Sequence, residues 1–136
     1  MTSADHDAVL EANALFYAAF EDRNLVAMDA MWSPDADVAC VHPGWPPVRG
    51  RDDVMRSWKA VFENSGGESP VCDGPTCHVY GDSAYVLCRE RLGNAVLIAT
   101  NLFVRRDGAW ALVHHHASAL ARVPATPSLD PDLLPN

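Results

Sequence analysis

No stretch of this 136-residue chain approaches the ~18 consecutive apolar residues that a membrane-spanning helix needs. Its start, Met1-Thr2-Ser3-Ala4-Asp5, lacks the basic and apolar regions of a signal peptide, so the expectation is a cytoplasmic protein without membrane association. Basic residues are scarce: 10 Lys and Arg stand against 18 Asp and Glu, for a net charge of −8. A surface of that sign repels phosphate backbones, and the longest basic cluster is Arg105-Arg106, which argues against nucleic acid as a partner. The four cysteines, Cys40, Cys72, Cys77 and Cys88, form no C-x-x-C pair and read as small apolar residues rather than disulfide or metal thiolates. The glycines match no phosphate-binding loop, dinucleotide fingerprint or nucleophile elbow. Covalent and nucleotide-dependent catalysis lose support, and no cofactor is expected.

What is present is a 49% hydrophobic composition, sufficient for one core. A chain of this length buries roughly 68–70% of its unfolded surface. From Ser3 to Asp22 the residues Val9, Leu10, Ala14, Leu15, Phe16, Ala18, Ala19 and Phe20 recur at three- and four-residue steps, predicting a long amphipathic helix. A second helix spans Leu25–Trp32 and stops at Ser33-Pro34. Asp35–His42 reads as a strand, the Pro- and Gly-rich Pro43–Gly50 as a loop, and Arg51–Glu63 as a third helix with Val54, Met55, Trp58, Val61 and Phe62 on one face. Four strand-like segments follow: Val71–Tyr80, Ser83–Arg91, Ala95–Arg106 and Ala109–Leu120. Gly81-Asp82, Gly93-Asn94 and Asp107-Gly108 separate them, as in an antiparallel meander joined by tight hairpins. The expected fold is therefore α+β, a curved antiparallel sheet with helices on one face. One domain covers residues 1–122, and a Pro-rich tail occupies 123–136.

This order of elements, with Pro34-Asp35-Ala36-Asp37, His42-Pro43-Gly44, Gly50-Arg51, Ser57-Trp58 and the run from Trp110 to Ser118, resembles the superfamily of nuclear transport factor 2, ketosteroid isomerase and SnoaL-like cyclases. The resemblance covers about residues 3–120. It implies a cone, in which the curved sheet wraps around the first helix and a pocket opens at the wide end. It also implies a homodimer through the outer sheet face, which would carry a charge of −16.

Strand parity places Ala111, Val113, His115 and Ala117 on one face of the last strand and Trp110, Leu112, His114, His116 and Ser118 on the other. Matched to the similar terminal strand of the calcium/calmodulin-dependent kinase association domain, the first set looks into the pocket, and Arg91 and Asn101 fall at pocket-lining positions. His42 precedes Pro43 where ketosteroid isomerases carry the Asp-Pro of their general base. An imidazole is suited to proton exchange near neutral pH, although it serves equally as a hydrogen-bonding loop residue. The isomerase oxyanion tyrosine matches Phe16, which has no donor, while Tyr17 points about 100° away round the helix. Steroid isomerisation is therefore disfavoured.

The expected site comprises His42, His115 and Asn101 as acid/base and polarising groups. Phe16, Trp45, Trp58, Arg91 and Phe103 are expected around a small hydrophobic, planar or acidic ligand, with Phe16 and Trp58 equally readable as core. His114 and His116 share a face and could begin a metal site with a third ligand from His78 or Cys88, but no metal is expected. Two functions remain open: a cofactor-free isomerase- or cyclase-like activity on a bound small molecule, or a non-catalytic binding or assembly module.

Overall fold

The computed structural model describes residues 3–35, 37–64, 66 and 68–120. The Pro-rich tail expected at 123–136 lies outside the described residues. In chain order the elements are α1 (Ser3–Glu21), α2 (Leu25–Met31), β1 (Ala39–Val41), β2 (Val48–Arg49), α3 (Arg51–Asn64), β3 (Val71–Tyr80), β4 (Ser83–Leu92), β5 (Ala95–Arg106) and β6 (Ala109–Ala119). Asn24 caps α2 by accepting a 3.0 Å hydrogen bond from the Ala27 amide, which satisfies one of the otherwise unpaired donors of the first turn.

One six-stranded sheet has the order β2-β1-β6-β5-β4-β3. Strands β3 to β6 form the antiparallel meander, and its hairpin turns follow their dipeptides. Gly81 and Gly93 take positive φ at the first turn position, whereas Asp107 and Gly108 both take it between β5 and β6. The sheet's other half departs from the sequence expectation. The segment read as Asp35–His42 pairs only over Ala39–Val41, and it runs parallel to β6 rather than antiparallel. The expected loop Pro43–Gly50 contains the two-residue β2, which pairs Ala39 with Arg49 and Cys40 with Val48.

The sheet wraps α1, which touches β3, β4 and β6. Val9, Asn13, Phe16, Tyr17 and Ala19 are the buried residues of that helix. Leu15, expected on the apolar face, is 56% exposed, and Ala14 and Ala18 are exposed too. The interior stripe instead takes in two polar residues, because a curved sheet covers more of a helix's circumference than a flat one.

A β-bulge also corrects the parity of β6. Leu102 pairs with His114 but Phe103 pairs with Leu112, so Val113 is an extra residue. One extra residue reverses the alternation on its two sides. Leu112, expected on the outer face, is fully buried opposite Phe103, and Trp110 packs against the core under the Arg105 guanidinium, 5.0 Å away. Beyond the bulge the expected parity resumes: His115 and Ala117 are buried, while His116 and Ser118 are exposed. The closed end of the cone is filled by Val79, Ala84, Phe103 and Leu112. There Arg105 ties Asp5 of α1 to Asp82 of the β3–β4 turn, at 2.7 and 2.9 Å.

Candidate active site

At the other end a cavity of about 250 Å³ opens. Phe20, Val61, Pro43, Pro70, Leu92, Leu97 and Trp45 form its apolar wall, and His42, His115, Glu90 and Glu68 supply its polar groups.

His115 and Glu90 face each other there because β4, β5 and β6 present them on one sheet face. His115 pairs with Asn101, Asn101 with Val86, and Glu90 lies further along the same face of β4. His115 Nε2 and Glu90 Oε2 are 4.0 Å apart, with both side chains buried. The remaining polar atoms set the proton positions. The Asn101 amide nitrogen donates to Asn13 Oδ1 at 2.8 Å and to the Tyr17 hydroxyl at 3.2 Å. Its oxygen, 2.6 Å from His115 Nδ1, must therefore accept, so Nδ1 carries the imidazole proton and Nε2 keeps a free lone pair toward Glu90. Tyr17 donates a 2.6 Å hydrogen bond to Glu90 Oε2.

Burial, reinforced by His42 and the flanking His114 and His116, pushes His115 down to about 3. Burial likewise raises the Glu90 carboxyl, against a smaller opposing pull from the Tyr17 hydrogen bond. An imidazolium–carboxylate pair would need a charged His115, which complete burial opposes, so the imidazole is neutral, and the same burial favours the neutral form of the carboxyl. The site thus sets a neutral imidazole opposite a buried carboxyl whose proton affinity burial raises.

His42, at the end of β1, is the second buried imidazole. Ser57 on α3 donates its hydroxyl proton to the Val54 carbonyl at 2.6 Å, so its oxygen accepts from His42 Nε2 at 2.9 Å. Nδ1 is then the unprotonated nitrogen, with the Cys40 thiol 3.9 Å away, and desolvation lowers His42 to about 4. Trp45 and Trp58 flank the ring, with centroids 4.8 and 4.7 Å away.

Of the residues expected at the site, His42, His115 and Trp45 line the cavity, Trp45 at its mouth and 40% exposed. Phe16 and Trp58 are fully buried behind the two imidazoles, and Phe103 is fully buried at the closed end. Asn101 is also fully buried, and its amide is consumed by Asn13, Tyr17 and His115, so it positions His115 and has no donor left for a ligand.

Arg91 is corrected outright. It lies on the outer face, paired with Asp73 at 2.9 Å, its side chain 54% exposed. Consecutive strand residues face opposite ways, so the inward position belongs to Glu90. Tyr17 is corrected too: its hydroxyl points into the interior net instead of away from it.

Sequence reasoning missed Glu90, Tyr17, Asn13 and Ser57. A signal for Glu90 was present. Ala84, Val86 and Cys88 alternate with Tyr85, Leu87 and Arg89, which puts Glu90 with the inward set.

No three or more His, Cys, Asp or Glu side chains are grouped to hold a metal ion among the described residues. His114 and His116 have ring centroids 6.0 Å apart on the outer face, but Cys88 is buried on the inner one and His78 stacks on Tyr85.

The SnoaL-like domain family matches residues 9–122. The chain belongs to the SnoaL-like family. It is similar to a candidate dehydratase of the NTF2-like family from Streptomyces avermitilis, at 30% identity over 90% of this chain and 100% of that one, with a TM-score of 0.81. It is also similar to a candidate calcium/calmodulin-dependent protein kinase type II association domain from Thiobacillus denitrificans, at 34% identity over 80% and 92% of the two chains, with a TM-score of 0.73. F-box protein SKIP8 of Arabidopsis thaliana is 30% identical over 116 residues, 83% of this chain. This SnoaL-like chain spans about half (50%) of that curated relative's length. The fold thus serves both as an enzyme scaffold and as an association domain among its relatives. Among the described residues, no helix is long and apolar enough to cross a membrane.

Proposed function

We propose that this SnoaL-like cone binds a small uncharged molecule and transfers protons on it, with Glu90 as proton donor and His115 Nε2 as acceptor. The observation that carries the reading is the buried acid–imidazole pair at the cavity, 4.0 Å apart and held by a hydrogen-bond net from two other elements, α1 and β5. Burying such groups is costly, and a domain needing only a stable core would have apolar residues in their place. Acid and base side by side suit a reaction in which a proton leaves one atom while another is protonated, as in isomerisation or loss of water from a hydroxycarbonyl compound. His42, fixed by Ser57, would orient the ligand. The similarity to a candidate dehydratase supports this class of chemistry.

The charge of the ligand follows from the wall. Two carboxyls and two neutral imidazoles line the cavity, and among the described residues no Lys or Arg lines it. Among the described residues an acidic ligand would meet carboxyls and no cation there. At about 250 Å³ the cavity lies just below the ~300–1,000 Å³ of drug-sized sites, so a compact ring or short chain fits. Paired probes test this directly. Acetophenone is expected to raise the melting temperature where benzoate, of the same size but anionic, does not. Preferential stabilisation by benzoate would overturn the reading.

The second reading, assembly, is favoured by the outer sheet face and by the similarity to an association domain. Leu87 and Tyr80 are 42% and 65% exposed there, beside half-buried Tyr85, Ile98, Leu102 and Val104. We propose that two copies pair through this face. Gel filtration across a dilution series checks it: a dimer is expected, and a Leu102→Arg substitution should yield a monomer that still binds acetophenone.

A further inference from the structure

Two thiols stand beside the polar net that the proposed chemistry does not use. Cys72 on β3 pairs across the ladder with Glu90, and Cys88 lies two residues from Glu90 on the same inward face of β4. Between Asp73 and Thr76 the ladder slips, so that Gly74 and Pro75 together oppose Cys88. Gly74 takes φ +62°, and both bulge residues are exposed. The edge position of β3 tolerates the missing Pro75 amide. On its β3 side Cys88 therefore has no single opposing residue, and its thiol lies 3.2 Å from the Tyr17 hydroxyl, on the same inward face as Cys72 and one α1 turn from the Asn13 side chain that reaches Cys72. Asn13 donates to Cys72 Sγ at 3.7 Å. Both thiols are free, and Cys72 is only half-buried where Cys88 is buried.

We propose that Cys72 and Cys88 are a reactive dithiol, which hydrogen peroxide converts into an intrachain disulfide linking β3 to β4 beside Glu90. The reaction has two balanced steps. The Cys72 thiolate attacks one peroxide oxygen, forming an S–O bond and breaking O–O; the leaving hydroxide takes up the thiol's former proton as water, and Cys72 becomes a sulfenic acid. Cys88 sulfur then attacks Cys72 sulfur, forming S–S and breaking S–O, and the departing hydroxyl takes the Cys88 proton as a second water. The sulfurs are together oxidised by two electrons and the peroxide is reduced by two.

The roles divide by environment. The hydrogen bonds from Cys88 and Asn13 outweigh burial and hold Cys72 below the ordinary thiol range, while Cys88 is driven well above it. Cys72 is accordingly the attacking sulfur and Cys88 the resolving one. Burial raises both Cys77, half-buried further along β3, and Cys40, buried beside His42. Cys72 is therefore expected to react faster than Cys77.

Intact-mass and peptide mapping of the folded full chain after graded hydrogen peroxide test the proposal. The expected result is a loss of two hydrogens, a single crosslink between the Cys72 and Cys88 peptides, and reversal by dithiothreitol. Cys88→Ser should instead accumulate a dimedone-trappable sulfenic acid at Cys72. Crosslinks through Cys40 or Cys77, bonds between chains, or no reaction in the folded protein at peroxide doses that oxidise the urea-unfolded chain would each overturn it. Because the wild-type chain supplies the main readout, a variant that fails to fold does not shelter the proposal.

Discussion

On the inner face of the sheet His115 is fully buried, donates to Asn101 and faces Glu90, whereas its neighbours His114 and His116 lie on the outer face, half-buried and exposed. The acids and cations divide the same way: Glu90 is sealed inside, and Arg91, one residue on, meets Asp73 in solvent. One strand step thus separates a group whose protonation is set by the fold from one whose environment is close to water. The polarity of a residue says little about its role until its face is known.

The difference can be broken most sharply with acid. Buried neutral, His115 and His42 have folded values of about 3 and about 4, below the unfolded 6.5, so the unfolded chain binds more protons between those limits. Stability therefore falls as pH drops below about 6.5, by about 1.4 kcal/mol per pH unit for each imidazole. Glu90 acts with the opposite sign, since its raised folded value means that the native state binds the extra proton above about 4.5. Between pH 6.5 and 4.5 the two imidazoles together lose up to about 5 kcal/mol, from which the Glu90 contribution subtracts; a net loss is expected, measured by urea unfolding at the two values. Glu90→Gln removes the compensation and should steepen the acid loss. Replacing His114 and His116 with Ala should leave most of it intact, and disappearance of the acid loss in that double variant would break the comparison.

Next in size is Asn101→Leu, which orphans the Nδ1–H of His115 and an acceptor of Asn13. A loss of about 2 kcal/mol in urea is expected, since each unsatisfied buried polar group costs about 1–3 kcal/mol. The smallest effect belongs to the outer face. Arg91→Ala removes an exposed ion pair of the kind worth at most about 1 kcal/mol, and it should leave acetophenone-induced stabilisation unchanged. Loss of that stabilisation would return Arg91 to the site.

Much of the fold was legible in local chemistry. Gly81-Asp82, Gly93-Asn94 and Asp107-Gly108 carry the positive φ values that a two-residue hairpin demands, so they fixed the meander's phrasing. Strand β2 was not legible, because two residues within a Pro- and Gly-rich segment have no periodicity to detect, and its existence depends on a distant partner in β1. Nor was the bulge at Val113, whose one-residue slip moved Leu112 from the expected outer face into the core.

For the site the division is similar. His42 and His115 were found by motif position and parity. Arg91 was taken from a family match one residue off the face, although the alternation from Ala84 to Glu90 in this sequence identifies the inward residue. Tyr17 and Asn13 were hidden by counting only apolar residues around α1, when positions 9, 13, 16 and 17 form its buried stripe. A polar residue on such a stripe signals an interior hydrogen-bond network, which no motif records.

The central claim is that a neutral His115 base, with its proton on Nδ1, faces the buried Glu90 carboxyl inside the cone without forming an ion pair with it. Nitrogen-15 NMR titration of the histidine side chains tests it most directly. The account predicts that His115 shows the Nδ1–H tautomer, with a bare Nε2, from pH 7 down to at least pH 4. A His115 imidazolium already present between pH 6 and 7 would mean an ion pair with a Glu90 carboxylate, and would contradict the account.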